Sequence, residues 1–245
     1  MSGLIESASS ILASSERRVE ASALNVSNAS TPGYKRQVAF TSALKQAASA
    51  IGPRVARTGA AADSELHFTT DFSQGALRET GSPLDLAIYG PGLIQLRDGD
   101  VYVYSRGGSF TVGPEGVVAD PAGRRLQQAG GGDLTVSNPT PEILGDGTVI
   151  ENGLPVSTIA LLEPAAPERV TTLGGGIFTA PDSAMEQASD SILHQGQLES
   201  ANVTMSDEMI AMMSATRQAE GGARLVQFYD QLIGQAITTF SRSSK

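Results

Sequence analysis

Met205, Met209, Met212, Thr216, Ala219, Ala223, Val226, Asp230, Ile233, Ile237 and Phe240 follow one another at alternating steps of four and three residues. Nine of these eleven positions are apolar, and an apolar line repeating every 3.5 residues marks a helix that needs a partner helix. Leu225, Phe228 and Leu232 widen the stripe toward its C-terminal end. Thr204 with Asp207 three residues on reads as a capping start, and Glu220 with Arg224 offers an i,i+4 ion pair. Gly221-Gly222 in mid-run is the weak point, at about 1 kcal/mol each against alanine. The same stripe would also suit an amphipathic helix lying on a domain core. In either case the helix is not stable alone in water, and something must cover its seam.

A helix of similar character at the other end of the chain favours the paired arrangement. Across residues 3–29, Ile5, Ala8, Leu12, Val19, Ala23 and Val26 stand at three-, four- and seven-residue steps, with Ser15 and Ser22 in the gaps. This thin stripe of small side chains is suited to close packing on a longer partner. Thr31-Pro32-Gly33 ends it, since the residue before proline leaves the α region and glycine supplies the turn.

Between the ends the pattern changes. Residues 37–81 are rich in Ala, Ser, Gly and Thr; a helical patch is expected at 39–48 and a short strand at 66–70. From Leu84 the period becomes two: 84–89, 93–97, 101–104, 110–112 and 117–119 read as short strands, with turn signals between them. Such spacing predicts an antiparallel β domain. A last strand is expected at 156–162, and a helical alphabet returns at Ser183. The fold class is α+β: paired N- and C-terminal helices, coiled-coil-like, with an inserted antiparallel β domain and extended connectors. The expected division is 1–35 plus 200–245 for the helical domain, 36–80 plus 177–199 for the connector, and 81–176 for the β domain.

Composition limits the function classes. With 26 acidic against 17 basic residues, the chain is a poor match for nucleic acid or an anionic membrane surface. No run of 18 apolar residues occurs, so no membrane insertion is expected, and no basic, apolar leader suggests a cleaved signal. The absence of cysteine excludes disulfides and thiol chemistry. His67 and His194 lie far apart and read as ordinary polar residues. Asp98-Gly99-Asp100 sits between two strands and reads as a hairpin turn rather than a carboxylate dyad or calcium loop. The glycine triplets 130–132 and 174–176 lack the G-K-[ST] ending of a phosphate loop. Asn25, Asn28 and Asn202 open N-x-[ST] triplets short enough to arise by chance. No catalytic, cofactor-binding or metal residues are assigned; an enzyme would need an acid or base cluster among Asp85, Asp98, Asp100 and Glu115.

Three blocks carry a family resemblance. Residues 23–36 read ALNVSNASTPGYKR, similar to the Asn-rich motif ending T-P-G-Y-K at the N-terminus of bacterial flagellar axial proteins (rod, hook and hook-associated). Residues 198–203, LESANV, followed by Glu208-Met209, Met212-Met213 and Arg217, resemble the C-terminal L-E-x-S-N-V signature of the same family. Residues 75–90, GALRETGSPLDLAIYG, resemble the segment opening the β domain of its longer rod and hook members. The chain departs from the pattern at Leu24, Ser27, Ala201 and Ala219. Its length and single β insertion resemble the basal-body rod subunits, the proximal-rod type before the distal-rod or hook type.

The resemblance implies a structural subunit without catalysis, exported unfolded through the flagellar type III apparatus without a cleaved signal peptide. It would assemble with copies of itself and other rod subunits into a hollow periplasmic shaft, with terminal helices that order on assembly. The expected assembly interface is Ile5, Leu12, Val19, Asn25, Val26, Asn28, Thr31, Pro32, Gly33, Tyr34, Asn202, Val203, Met205, Met209, Met212, Val226, Ile233, Ile237 and Phe240. A rival reading from another class is a secreted β binding module that dimerises through its terminal helices.

Overall fold

The computed structural model describes residues 2–41 and 66–243. Among the described residues the order is one α-helix, nineteen short strands with two 3-10 turns between some of them, and a second long α-helix, so the α+β arrangement holds. The chain divides into two compact units. One comprises Met1–Val26, Gln37–Thr69 and Thr204–Lys245; the other comprises Ser27–Arg36 and Thr70–Val203.

In the helical unit, α1 (Ser2–Ser27) and α2 (Met205–Ser243) are both continuous. Thr204 stands at the start of α2, where its backbone carbonyl accepts from the amides of Asp207 and Glu208. Asp207 and Glu208 also place negative charge on the positive end of the helix dipole. Glycines 221 and 222 neither break nor end α2. Among the described residues no ion pair joins Glu220 to Arg224, contrary to the spacing argument. Gln37–Thr41 forms a two-stranded sheet with Leu66–Thr70. The strand expected at 66–70 is therefore present, whereas residues 39–41 are strand instead of helix. The rest of that helical expectation lies outside the described residues. No described helix is long and apolar enough to cross a membrane.

The β unit is built on a nine-stranded antiparallel sheet whose middle is the hairpin Leu93–Asp98 and Val101–Ser105. Asp98 pairs with Val101 across the turn, and Gly99 takes a positive φ of 60°. This is the hairpin that the Asp-Gly-Asp stretch suggested. Ile192–Gln195, Asp85–Tyr89 and Gly107–Ser109 make a three-stranded sheet, as do Glu142–Ile143, Thr148–Glu151 and Leu154–Thr158. Alternation along each strand directs Leu86, Ile88, Ile94, Leu96, Val103, Leu126, Val149 and Ile159 into one core. Residues 183–199 hold no α-helix, only the end of a 3-10 turn at Asp182–Ala184. They carry the strands Met185–Gln187, Ile192–Gln195 and Gln197–Glu199, the last pairing with Leu77–Glu79. There, pairing with distant strands outweighs a modest local helix propensity.

Candidate assembly interface

The covered face of α1 is made of small residues. Ala8, Ser15 and Ser22, seven apart, are sealed from solvent, and Leu12 and Val19 between them and Val26 after them are half-buried. On α2 the sealed positions are Glu208, Ala215 and Gly222, again seven apart, with Met212, Ala219 and Val226 half-buried. A Cβ added to Gly222 would stand 3.2 Å from Ile11 Cγ2 and 3.5 Å from the Ala8 carbonyl oxygen. The two backbones therefore approach closely where Ala8 meets Gly222. Burial of Ala215 and Glu208, N-terminal to that point, requires α1 to run antiparallel past them. The heptad then sets Ser15 opposite Ala215 and Ser22 opposite Glu208. This seam is rotated from the one marked by the largest apolar side chains. Met212, Ala219 and Val226 are shared, but Met209, Thr216 and Ala223 give way to Glu208, Ala215 and Gly222.

Rotation leaves large apolar groups outside. Met205, Met209, Ile210, Met213, Leu225, Phe228, Leu232 and Ile233 are all exposed. At 100° per residue, Ile210, Met213, Leu225, Phe228 and Leu232 lie on the side of α2 turned away from the covered seam. Arg217, Gly221 and Arg224 interrupt them midway.

The remaining expected interface residues fall into three groups. Asn25 is buried at the end of α1, where its amide donates to the Gln37 carbonyl and its oxygen accepts the Gln37 amide. Gly33 and Tyr34 are buried in the turn, with Gly33 at φ 70°, while Asn28 accepts from the Thr31 hydroxyl and Pro32 is exposed. Asn202 and Val203 are half-buried. Ile5, Ile237 and Phe240 lie in helix backbone, outside the residues whose side chains are described. Asn25 and Asn202 are engaged in protein hydrogen bonds, which argues against reading their triplets as glycan sites.

The sequence reading assigned no role to the charged cluster that the fold assembles beside the turn. Glu199, Lys35 and Arg106 are each at most 2% exposed. Lys35 Nζ is 2.6 Å from Glu199 Oε1, and Arg106 Nε is 3.0 Å from Oε2. Arg106 also donates to the carbonyls of Ile88, Gly90 and Gly92 and to Gln74 Oε1. Lys35 donates to the Ser73 carbonyl as well. Burial pulls the Lys35 ammonium below the usual lysine range, although the hydrogen bond and charge of Glu199 act to raise it. One carboxylate thus holds two cations brought together from the N-terminal turn and the middle of the β unit. Lys35 and Glu199 each belong to a resemblance motif; nothing local marks Arg106.

Comparison with known proteins places the same segments in context. Residues 194–239 match the family model described as flagellar basal body rod FlgEFG protein, C-terminal. The chain is 29% identical over 230 residues to the flagellar basal-body rod protein FlgF of Caulobacter vibrioides, covering 90% of this chain and 91% of the relative. It is 25% identical over 236 residues to the rod protein FlgG of Bacillus subtilis, covering 87% and 89%. Similarity to the flagellar hook protein FlgE of Treponema pallidum is 31% over 121 residues, 46% of this chain and 26% of that one.

Proposed function

We propose that the chain is a structural subunit of the flagellar basal-body rod, a reading its likeness to the rod proteins supports, and that it occupies the proximal rod. There it assembles through its terminal helices with copies of itself and neighbouring rod subunits, forming part of a hollow shaft that carries motor torque. The likeness to the FlgF relatives favours the proximal position over the distal one. The shaft lies in the periplasm, and the chain reaches it unfolded through the flagellar export apparatus.

The observation that carries this reading is the division of labour on α2. Its covered seam is small and polar, whereas its large apolar side chains stand on the open face. A fully buried Leu, Met or Phe side chain is worth about 1.5–3 kcal/mol over an exposed one, so each of these groups favours a state in which another helix covers it. Basal bodies purified from a deletion strain test the placement. A rod truncated before the distal subunit is expected; a complete rod without this chain would refute it, and a rod stopped only at its distal end would place the chain there.

A further inference from the structure

Three of the places where the chain crosses the boundary of the β unit converge on one amide side chain. The chain leaves this unit after Arg36, returns at Thr70 and leaves again after Val203. Asn202 Oδ1 accepts the Arg36 amide at 2.7 Å. Its Nδ2 donates to the Asp71 carbonyl at 2.8 Å and to the carbonyl and hydroxyl of Ser73. The Asp71 amide in turn donates to the Arg36 carbonyl at 2.8 Å.

A second layer lies just inside. Lys35 bridges the Ser73 carbonyl and Glu199. The Glu199 carboxylate accepts the Gly75 amide, and its backbone carbonyl accepts the Gly33 amide. Segments 33–36, 71–75 and 199–202 are therefore each bonded to both of the others, so that none can slide without breaking hydrogen bonds to the other two. Asn202 has no part in the apolar core, which is formed by other strands.

We infer that Asn202 is a positioning residue that locks three of the chain crossings at the edge of the β unit at fixed separations, so that force entering along any one is shared by all three. Its role under load rests on the rod reading; the lock itself does not. The Lys35–Glu199 pair backs it from within. In Asn202→Ala the core is intact, but the Arg36 amide loses its acceptor and the Asp71 and Ser73 carbonyls lose a donor.

The test uses the full-length chain. Hydrogen exchange at the Arg36 amide of Asn202→Ala, which loses its acceptor, should quicken roughly tenfold, the change that follows loss of one hydrogen bond of ordinary net strength; the Asp71 amide keeps its bond to the Arg36 carbonyl and should quicken only through the loosening of its segment. Amides of the central hairpin should keep their rates. Unchanged exchange at Arg36 and Asp71 overturns the lock. In replacement strains, Asn202→Ala should lose at least twice as large a fraction of its swimming speed in viscous medium as in dilute medium. Val149→Ala, a core truncation remote from the exits, should lower stability without this load-dependent loss. Equal slowing in both strains, or in neither, overturns the load-sharing role. If a strain lacking the chain altogether swims normally, the rod reading itself falls, whatever exchange shows.

Discussion

In the β unit Leu86, Ile88, Leu93 and Ile94 are completely shut off from solvent, while in α2 Ile210 and Phe228 stand 62% and 60% exposed and the sealed positions are Glu208, Ala215 and Gly222. Strand alternation lets the β unit finish its own core: every inward face finds a facing strand within the same unit. The helical unit covers a narrow seam and leaves its bulk outside. A region that closes a core of large side chains is a finished fold, even with Val101, Leu154 and Leu173 left on its surface. One that hides small groups and displays large ones is half of an interface, and its remaining stability depends on the concentration of partners.

The sharpest way to break the β unit's self-sufficiency is Glu199→Gln. The substitution keeps the shape but leaves Lys35 and Arg106 as buried cations without their counter-charge. Removing one partner of a buried ion pair costs about 3–5 kcal/mol. Chemical denaturation followed at the β unit should show a midpoint lowered accordingly, with the helical signal little affected below it. A shift under about 1 kcal/mol would mean that water or neighbouring carbonyls satisfy the two cations, and that the cluster is not an organising centre.

On α2 the expectation is reversed: a large defect in assembly with little change in the monomer. Phe228→Asp places a charge on the open face. Because Phe228 is largely exposed, the monomer should change by no more than about 0.5 kcal/mol. Loss of an aromatic anchor from a packed interface typically exceeds about 2 kcal/mol, so association should weaken by more than about thirtyfold. Sedimentation of subunits, or recovery of rods from a replacement strain, measures it. Rods of normal length and number would return the open face to ordinary solvent-exposed surface.

The sequence was most legible where the period was local. Alternation from Leu84 onward located the strands at Asp85–Tyr89, Leu93–Asp98 and Val101–Ser105, because a strand's facing is written in every second residue. The long helices were equally plain. What a single helix could not reveal is which of its two apolar lines is covered from within. Weighting by size chose Met209 over Glu208, yet the small residues Ala8, Ser15 and Ser22 of α1 admit only small partners. Matching the two helices by side-chain volume would have selected Ala215 and Gly222. Lys35, Arg106 and Glu199 lie 71 and 93 residues apart in the chain, and no periodicity links them. Only the closed sheets bring them together, so local reading treats each as surface charge.

Within the small seam, Ser15 offers a milder test. Its hydroxyl is buried and finds no hydrogen-bond partner, so Ser15→Ala removes an unsatisfied polar group and raises helix propensity together. A gain of about 1 kcal/mol is expected, read as a higher melting temperature of the helical signal at 222 nm. A loss would show that the hydroxyl is satisfied when the helices pair.

The smallest effects discriminate most finely, because Gly221 and Gly222 are adjacent and chemically identical. Each costs α2 about 1 kcal/mol relative to alanine in a helix interior. A Cβ on Gly221 meets nothing within 4 Å, whereas one on Gly222 presses on Ile11 Cγ2 at 3.2 Å and is in ordinary contact with the Ala8 carbonyl and Leu12 Cγ. Gly221→Ala should therefore stabilise the helical signal by about the full propensity difference. Gly222→Ala should gain nothing, because Ile11 is β-branched and has little freedom to turn away. Gly222→Val should push the helices apart and lower the melting temperature below that of the parent chain. Equal gains from the two alanine substitutions would mean that α1 does not approach α2 closely there, and the small-residue seam would have to be abandoned in favour of one built on Met209 and Ala223.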